Sequence, residues 1–506
     1  MGEVQANVFE PEFNRSVKVK AVDQRLTSHA GALLLREFDH QLGLTESLAD
    51  RLVDPRRQDR IRYQGVELVR ERVYAMAMGA RHQDDLDRLA HDPAMKISSW
   101  DRPGEEVLEQ RLASQPTQSR LIGWLAGLKQ NREALRNSLF DWTHRHLRST
   151  GNTAGSGSND RRVRRATIDI DSFPVEVHGQ QQGAAYNGYY RDTVYHPMVA
   201  SFSVGGDYDS AREGMRLGNG FIHCVLRQGN THTAKGIKRF VRNVIEKAKQ
   251  CAWSFDIRLD AGYTEGAVMD ELTDENVRFC GRIKKNPVLV RLAEPHLKRP
   301  PGRPPAEGYE DVIELGMHQA DGWKHPQRLL LVVVDKPDPK TGQLDLMPRY
   351  FFLVTNWTSD QRSGEAVLAH YRKRGTFEDR LGEFNAAIGC RLSSPSFHEN
   401  EATILLGLLA FNLASMMRIE LEDELGSCWD LSRFQQSVLR AGARVVKASR
   451  RVVIHIEDSV RDLWLTMTKC INQLRLASQW STPRGSRSRP YTPPPRHAHQ
   501  RLVLRY

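Results

Sequence analysis

The stretch ATIDIDSFPVEVHG, residues 166–179, decides the fold class of this 506-residue chain. Within it, Ile168 and Ile170 alternate with Asp169 and Asp171, which is the period-two pattern of a strand with one buried face. Both carboxylates therefore share the face opposite to the isoleucines. The stretch predicts a strand that carries acidic groups towards the edge of a sheet.

A second strand of the same kind lies downstream in SFDIRLDAGY, residues 254–263. Its apolar residues alternate with Asp256, Arg258 and Asp260. Ala261 and Gly262 allow the backbone to turn away after Asp260, so that this carboxylate stands at the rim of the sheet. Between the two strands lie two further strand signals and then a helix, at residues 195–204, 218–230 and 233–252. This order predicts an α/β fold.

A third acid in a suitable place is Glu378. Thr376 followed three residues later by Asp379 fits a capping box, which would begin a helix there and place Glu378 in its first turn. If the preceding helix instead runs through, Tyr371, Arg374 and Glu378 still share one face. In both arrangements Arg374 lies near the acid and can bind a phosphate with two hydrogen bonds.

Acids from adjacent strands are the expected ligands of hard divalent ions, because Mg²⁺ prefers oxygen donors. Two such ions about 3.5 to 4 Å apart can activate and position both oxygens of a phosphodiester exchange. Asp171, Asp260 and Glu378 are therefore the candidate catalytic and metal-binding residues. Asp169 is the alternative to Asp171, since the two share a face.

The charge of the chain favours a polyanionic partner. Lys and Arg number 73 against 62 Asp and Glu, a formal charge of +11. Arg161, Arg162, Arg164 and Arg165 precede the first strand, and residues 479–506 hold six Arg and no acid. Nucleic-acid binding and a solvated basic surface that keeps the protein soluble both explain such clusters, and charge alone does not separate them.

The composition also argues against several classes of protein. The amino-terminal residues lack the apolar segment of a secretory signal, and no uncharged run approaches the ~20 residues of a membrane span. We therefore expect a cytoplasmic protein that does not contact a membrane. Six cysteines without a Cys-x-x-Cys pair argue against a zinc knuckle and against a disulfide framework.

Changes in pattern along the chain predict its organisation. In the amino-terminal part, apolar residues recur at helical spacing, with Arg70, Arg72 and Arg81 free to face outward, and one long helix is expected from Gln118 to Arg148. The expected parts are a helical region (1–148), a flexible Gly/Ser/Asn/Thr linker (149–160), an α/β core (161–284), a β-rich insertion (285–357), the second part of the core with carboxyl-terminal helices (358–478) and a disordered basic tail (479–506).

The order Asp-x-Asp-Ser, Asp-Ala-Gly-Tyr and Tyr-x2-Arg-x3-Glu closely resembles the insertion-sequence transposases of the DDE superfamily, in particular the bacterial group marked by a Tyr-Arg-Glu-Lys signature. The resemblance rests on residues 166–190, on the turn DAGYT and on YRKRGTFEDRLGE, residues 371–383. The amino-terminal segments GALLLREFDHQLGLT and RERVYAMAMG are similar to the helical region of that group. The likeness extends over most of the chain.

This resemblance implies an RNase H-like catalytic core with a β-rich insertion, preceded by a helical region for DNA binding and dimerisation. It implies two Mg²⁺ ions, with Mn²⁺ as a substitute, and cut-and-paste transposition. The implied partners are double-stranded DNA, as terminal inverted repeats and as target, and a second copy of the chain in the synaptic complex. The implied location is the bacterial cytoplasm, at the nucleoid.

By position in the family pattern, Asp171, Asp260 and Glu378 match the catalytic triad. The acid that ends the first strand of the family is followed by a small residue, which favours Asp171, with Ser172 behind it, over Asp169. Two other interpretations remain open, namely a nuclease of the same fold that cleaves without joining and a DNA-binding regulator without catalysis.

Tyr371 and Arg374 match the first two members of the signature, which the resemblance expects to contact DNA phosphates near the cleavage site. The fourth member departs from the family. Seven residues after Glu378 the family carries Lys, whereas this chain has Asn385. Either one phosphate contact is missing, or Arg380 replaces it from a nearby turn.

Overall fold

The computed structural model describes residues 7–21, 23–102, 106–150, 162–204, 220–299, 307–337, 343–344, 347–421, 429–448 and 451–479. The predicted linker from residue 151 onward, Arg161, Cys428 and the tail beyond Gln479 lie outside them. The strands are β1 (Asn7–Phe9), β2 (Val19–Lys20), β3 (Arg25–Thr27), β4 (Val163–Ser172), β5 (Val175–Glu176), β6 (Ala185–Asn187), β7 (Asp192–Tyr195), β8 (Met198–Val204), β9 (Gly220–Val225), β10 (Ala252–Leu259), β11 (Arg278–Ile283), β12 (Tyr309–His318), β13 (Gln327–Asp335), β14 (Arg349–Thr355), β15 (Ala443–Ala448) and β16 (Arg451–Ile456).

The α-helices are α1 (Ala32–Leu42), α2 (Leu44–Ala49), α3 (Gly65–Ala77), α4 (Asp85–Leu89), α5 (Pro93–Ser99), α6 (Glu106–Glu109), α7 (Gln115–Gly127), α8 (Lys129–Ser149), α9 (Ile237–Cys251), α10 (Gly266–Asp274), α11 (Pro287–Ala293), α12 (Gly364–Arg372), α13 (Gly375–Ala387), α14 (Phe397–Ile419), α15 (Leu431–Phe434) and α16 (Arg461–Gln479). The long helix expected over residues 118–148 is divided into α7 and α8, because Leu128 has an extended backbone between them, with φ −103° and ψ 127°.

A mixed eight-stranded sheet is the largest feature of the fold. Its strand order is β12-β13-β14-β11-β10-β4-β8-β9. β10 runs parallel to both β4 and β11, whereas β8 pairs antiparallel with β4, and β9 pairs antiparallel with β8. The chain therefore has a mixed α/β fold, as the alternating strands predicted.

The two faces of this sheet differ in chemistry around β4 and β10. One face packs fully buried aliphatic residues against α9 and α10, namely Ile168, Ile170, Ile257 and Leu259. The opposite face carries buried charged groups, and α12 covers them: the His370 Nε2 and Asp256 Oδ2 atoms lie 2.6 Å apart. This charged face leads to the end of the sheet where the candidate catalytic acids stand.

The strands expected in the β-rich insertion are present as β12, β13 and β14. They extend the large sheet, because β14 pairs antiparallel with β11 and places Val354 opposite Gly281. Within the described residues, the segment therefore continues the large sheet and also contributes the short helix α11.

The amino-terminal helices share one hydrophobic core with α13, α14 and α16. The expectation that Arg70 and Arg72 face outward is wrong, since their side chains are 0% and 4% exposed. Arg70 instead donates hydrogen bonds to Asp101 and Glu46 inside the bundle. Arg81 does lie at the surface. Because α3 is buried from Glu67 to Ala77, this part of the helix cannot enter a DNA groove.

The helix α14 lies at the centre of this core. It is the one described helix that is long and apolar enough to cross a membrane, but 94% of its most apolar window is buried within the protein. Its position is that of a central core helix. The five described cysteines are free thiols.

Truncation of Leu408, which is fully buried in α14, tests this core. Leu408→Ala should lower the free energy of unfolding by about 2–5 kcal/mol, because it leaves a cavity that the tightly packed helices cannot fill. Chemical denaturation measures the change. Leu465→Ala on α16, where the leucine side chain is largely exposed, is the control and should cost less than about 1 kcal/mol. Equal losses for the two variants would contradict a central role for α14.

Candidate active site

The parallel pairing of β4 and β10 places Asp171 beside Asp260. In this pairing Ile170 lies opposite Leu259, so the next residue of each strand is an aspartate at the same end of the sheet. Asp260 ends its strand because the chain turns at once, and the Tyr263 amide donates to the Asp260 carbonyl at 2.9 Å. Gly262 is needed in this turn, since a Cβ there would lie 2.7 Å from the Thr233 side chain.

The third acid is supplied by the helix that faces this sheet end. α12 ends at Arg372 and α13 begins at Gly375, which places Glu378 in the first turn of α13. The predicted capping box is wrong, because the Thr376 hydroxyl donates to the Lys373 carbonyl at 2.8 Å. The first-turn position of Glu378 nevertheless agrees with the expectation from sequence.

Arg374 connects the strand acid to the helix acid. Its guanidinium donates one hydrogen bond to Asp171 Oδ2 and another, at 3.1 Å, to Glu378 Oε1. Arg374 is buried, whereas the Glu378 side chain is 67% exposed. The guanidinium therefore lies between two of the candidate metal ligands and neutralises part of their charge.

The electrostatics of the site follow from this crowding. Burial raises the pKa of Asp171 to about 6, and the charge of Asp260 acts in the same direction, against the opposing effects of Arg374 and the Ser172 amide. Burial opposes the charge on Arg374, but the neighbouring Asp171 and Asp260 outweigh it and raise the pKa of Arg374. Asp171 and Asp260 therefore carry more negative charge than Arg374 alone offsets, and a bound cation would neutralise the remainder.

Asp169 has a different role in the structure. Both of its oxygens accept hydrogen bonds from Arg258, from Nε and from Nη2, each at 2.7 Å, and both side chains are buried. Arg258 also donates to the His370 carbonyl of α12 at 3.0 Å. Because the lone pairs of Asp169 are engaged in this bidentate pair, the geometry favours Asp171 over Asp169 as a metal ligand.

A buried polar group behind Asp171 was not anticipated from the sequence. His196 Nε2 lies 2.7 Å from Ser172 Oγ, and Arg227 Nη2 lies 3.3 Å from His196 Nδ1. Burial and the charge of Arg227 lower the pKa of His196 to about 4, so the ring is neutral. Because Arg227 can only donate, Nδ1 accepts and Nε2–H donates to Ser172. This interaction holds the residue that follows Asp171.

Tyr190 also belongs to the site, at the end of the turn between β6 and β7. Burial raises its pKa, and the charges of Asp171 and Asp260 raise it further, which places its hydroxyl within their field. Its Oη lies 3.4 Å from His196 Nε2. The only sequence signal for this residue is the Tyr-rich run AAYNGYY, residues 184–190, whose distance from the acids along the chain gives no indication of contact.

The residues that the family resemblance expects to contact DNA phosphates differ in their exposure. Tyr371 is half-buried, and burial raises its pKa, with the charge of Asp260 acting in the same direction. Asn385 is exposed. Arg380 is buried, with its Nη2 3.4 Å from Ser203 Oγ, and burial lowers its pKa to about 10. The suggestion that Arg380 replaces the missing lysine as a phosphate contact is therefore contradicted, because its side chain faces the sheet.

The basic cluster before β4 lies away from the acids. Arg164 is exposed, the Arg162 guanidinium lies 4.5 Å from the centre of the Trp253 ring, and Arg165 lies 3.8 Å from Asp256. These residues stand six to nine positions before Asp171, which along a strand corresponds to about 20–30 Å. They therefore lie apart from the candidate catalytic acids.

The donor set fits a divalent cation in its chemistry. Asp171, Asp260 and Glu378 offer the carboxylate oxygens that Mg²⁺ prefers. Among the described residues, no group of three possible ligands stands in position to hold one ion, and the guanidinium of Arg374 separates Asp171 from Glu378. A cation shared by all three acids would therefore require Arg374 to move.

The pKa of Asp171 predicts a specific dependence of stability on pH in the presence of a chelator. Because folding raises this pKa from 3.8 to about 6, ionised Asp171 destabilises the folded state, and the penalty grows as the pH rises from about 4 to 6. The free energy of unfolding of Asp171→Asn, relative to that of the wild type, should therefore increase by about 1–3 kcal/mol between about pH 4 and pH 7. Urea denaturation at both pH values measures this, and a difference that does not change with pH would contradict it.

Comparison with known proteins identifies the family. The family model described as "Transposase DDE domain group 1" matches residues 9–476. A search of curated proteins gives no match. Among solved structures, the chain is similar to the cryo-EM structure of a piggyBac transposase synaptic complex with hairpin DNA, with a TM-score of 0.41 and 13% identity over 91% of this chain and 86% of that chain. Because the family model spans nearly the whole sequence, the chain belongs to the group 1 DDE-domain transposases and is a DNA-cleaving enzyme of transposition.

Proposed function

We propose that this transposase binds the terminal inverted repeats of an insertion sequence and moves the element by metal-dependent DNA cleavage and strand transfer, in a cut-and-paste reaction. The observation that carries the proposal is the position of Asp171 beside Asp260 at one end of the sheet, with Glu378 linked to Asp171 through Arg374. A turn residue, or an acid on a solvated helix face, has no need to lie near other acids from distant parts of the sequence. The proximity of these three acids therefore favours a shared role.

The order of elements supports an RNase H-like core. The antiparallel strands β4, β8 and β9 are followed by α9, and then by β10 and β11, which run parallel to each other. β10 returns to pair with β4, so the first and second acids come from neighbouring strands. The third acid comes from a helix that packs over the charged face.

Asp171, Asp260 and Glu378 would hold the metal, proposed to be two Mg²⁺ ions with Mn²⁺ as a substitute. When bound, such ions activate the attacking oxygen and neutralise charge on the leaving oxygen in the displacement. The buried Asp169–Arg258 pair holds the sheet beneath the site, and the Ser172–His196 hydrogen bond orients the backbone after Asp171. These contacts position the acids before the metal arrives.

Arg374 has two alternative partners in the proposed reaction. Without metal and DNA it pairs with Asp171 and Glu378. A divalent cation at the acids would compete for the same oxygens, and the released guanidinium can then bind a DNA phosphate, for which its planar group is suited. Tyr371, whose pKa the charge of Asp260 helps to raise, would border the same phosphate.

The proposed partners are double-stranded DNA, both the element ends and the target, and a second copy of the chain that brings two ends together. The proposed location is the bacterial cytoplasm, where the protein would associate with nucleoid DNA. The formal charge of +11 agrees with association with a polyanion.

Substitution of the acids tests the catalytic role. Asp260→Asn and Glu378→Gln should each reduce cleavage of a duplex bearing the element's end by about 10²–10³-fold or more, because each removes a charged metal ligand. Asp379→Asn changes the exposed neighbour of Glu378 and should retain cleavage within about twofold.

A gel assay that resolves nicked, cut and joined products measures both chemical steps. Joined products from the wild type support strand transfer. Cleavage without any joined product would indicate a nuclease instead. Unchanged transposition by both acid variants would overturn the catalytic assignment and favour a DNA-binding regulator.

Arg374→Gln tests the competition between guanidinium and metal. The variant should bind Mn²⁺ more tightly than the wild type, because the guanidinium no longer competes with the metal for Asp171. It should cleave DNA about 10–100-fold more slowly, because a phosphate contact is lost. Calorimetric titration with Mn²⁺ and the cleavage assay measure these opposite effects. Arg372→Gln is the matched control, since Arg372 pairs with Glu310 on β12. Weaker metal binding by Arg374→Gln would contradict the competition.

A further inference from the structure

A second surface suited to DNA lies on a small sheet outside the catalytic one. β15 pairs antiparallel with both β16 and β3, in the order β16-β15-β3. Arg444 stands opposite His455 on one side and Leu26 on the other, and Ala448 stands opposite Arg451. Because cross-strand partners share a face, these residues lie on one side of the sheet.

The other side of this sheet packs on the protein. Val445 and Ala443 are buried there, and Ile454 and Ile456 pack against the neighbouring core clusters. Two basic residues of the sheet point to this inner side, because Arg25 and Lys447 both pair with Glu109 of α6, at 3.1 and 3.2 Å. The sheet therefore has an inner face that is attached to the helical core and an outer face directed to solvent.

The outer face is basic and partly apolar. Arg444, Arg451 and His455 are exposed, together with Leu26 and Val453, which are 56% and 37% exposed. β15 and β16 contain no acidic residue. Among the described residues, neither Arg444 nor Arg451 has an ion-pair partner. Two guanidinium groups therefore stand on a solvent-facing strand pair without a counter-charge.

The spacing of these charges matches duplex DNA. Arg451 stands opposite Ala448, which lies four residues from Arg444 along β15, so the two arginines are about 13 Å apart in the strand direction. The major groove is about 12 Å wide and accepts a two-stranded β-ribbon. With the outer face of the sheet over the groove, Arg444 and Arg451 would reach phosphates on opposite sides of it. Exposed apolar groups such as Val453 would face the base edges.

We propose that the outer face of β15 and β16 binds duplex DNA, and that Arg444 and Arg451 contact phosphates of the two DNA strands. The inference rests on the proposed function, which requires the enzyme to hold the ends of its element. It also assigns DNA contact to a part of the chain other than α3, whose arginines are buried in the helical core.

The test compares two double variants that remove the same charge from the same sheet. Arg444→Gln/Arg451→Gln changes the outer face, and Arg25→Gln/Lys447→Gln changes the inner face. Binding of a fluorescent duplex from the element's end is measured by anisotropy over a range of salt concentrations in EDTA, beside a duplex of random sequence. Thermal unfolding of both variants shows whether they are folded.

The outer-face variant should bind roughly tenfold or more weakly, and its slope of log affinity against log salt should be shallower by about 1.8, the value for two lost phosphate contacts. The inner-face variant should keep the slope of the wild type. Equal effects of the two variants would overturn the proposal, because net charge would then explain them.

Wild-type affinity and slope in the folded outer-face variant would also overturn the proposal. So would a loss of dimer by that variant with unchanged DNA binding, since the face would then contact a second copy. A failure of the proposed function would give a different result. The wild type would then bind the duplex without cutting it in Mg²⁺.

Discussion

The parallel pairing of β4 with β10 is the constraint on which the active site depends. One register, with Ile170 opposite Leu259, sets Asp171 beside Asp260 and also sets Asp169 beside Arg258. A shift of one residue would turn the acids of the shifted strand towards the aliphatic face under α9, where an unpaired carboxylate would be strongly disfavoured. The buried charge pair and the hydrophobic face therefore specify the same register, and the position of the candidate catalytic acids follows from it.

The negative charge of the candidate acids is partly neutralised by Arg374, which the proposed reaction must displace. Arg374 pairs with acids from a strand and from a helix, which holds α13 over the sheet end. The raised pKa of Asp171 indicates that this single guanidinium does not fully offset two aspartates in a buried setting. In the proposed reaction a divalent cation would replace the arginine at these oxygens, and the guanidinium would then be available to a phosphate.

Patterns that depend on neighbouring residues were predictable from the sequence, and patterns that depend on packing were not. The alternation in residues 166–171 and 254–260 predicted both strands, and Glu378 was placed in a first helical turn. The capping box failed, because the Thr376 hydroxyl donates to the carbonyl of Lys373, the residue after α12, instead of capping its own helix. Arg70 and Arg72 were expected at the surface, and Arg380 was one candidate for a phosphate contact, but other helices and the sheet cover all three. Local periodicity does not show which polar face a second element will bury.

The sequence by itself determined the strand faces, the three acids as candidates and the family resemblance, because alternation and motif spacing are properties of short segments. Only the tertiary structure decided how those acids meet. It separated Asp169, held by Arg258, from Asp171, which shares Arg374 with Glu378. It also added His196 and Tyr190 to the site and oriented the basic face of β15 and β16. Each of these depends on contacts between residues far apart in the chain, which burial and strand register establish and no local pattern encodes.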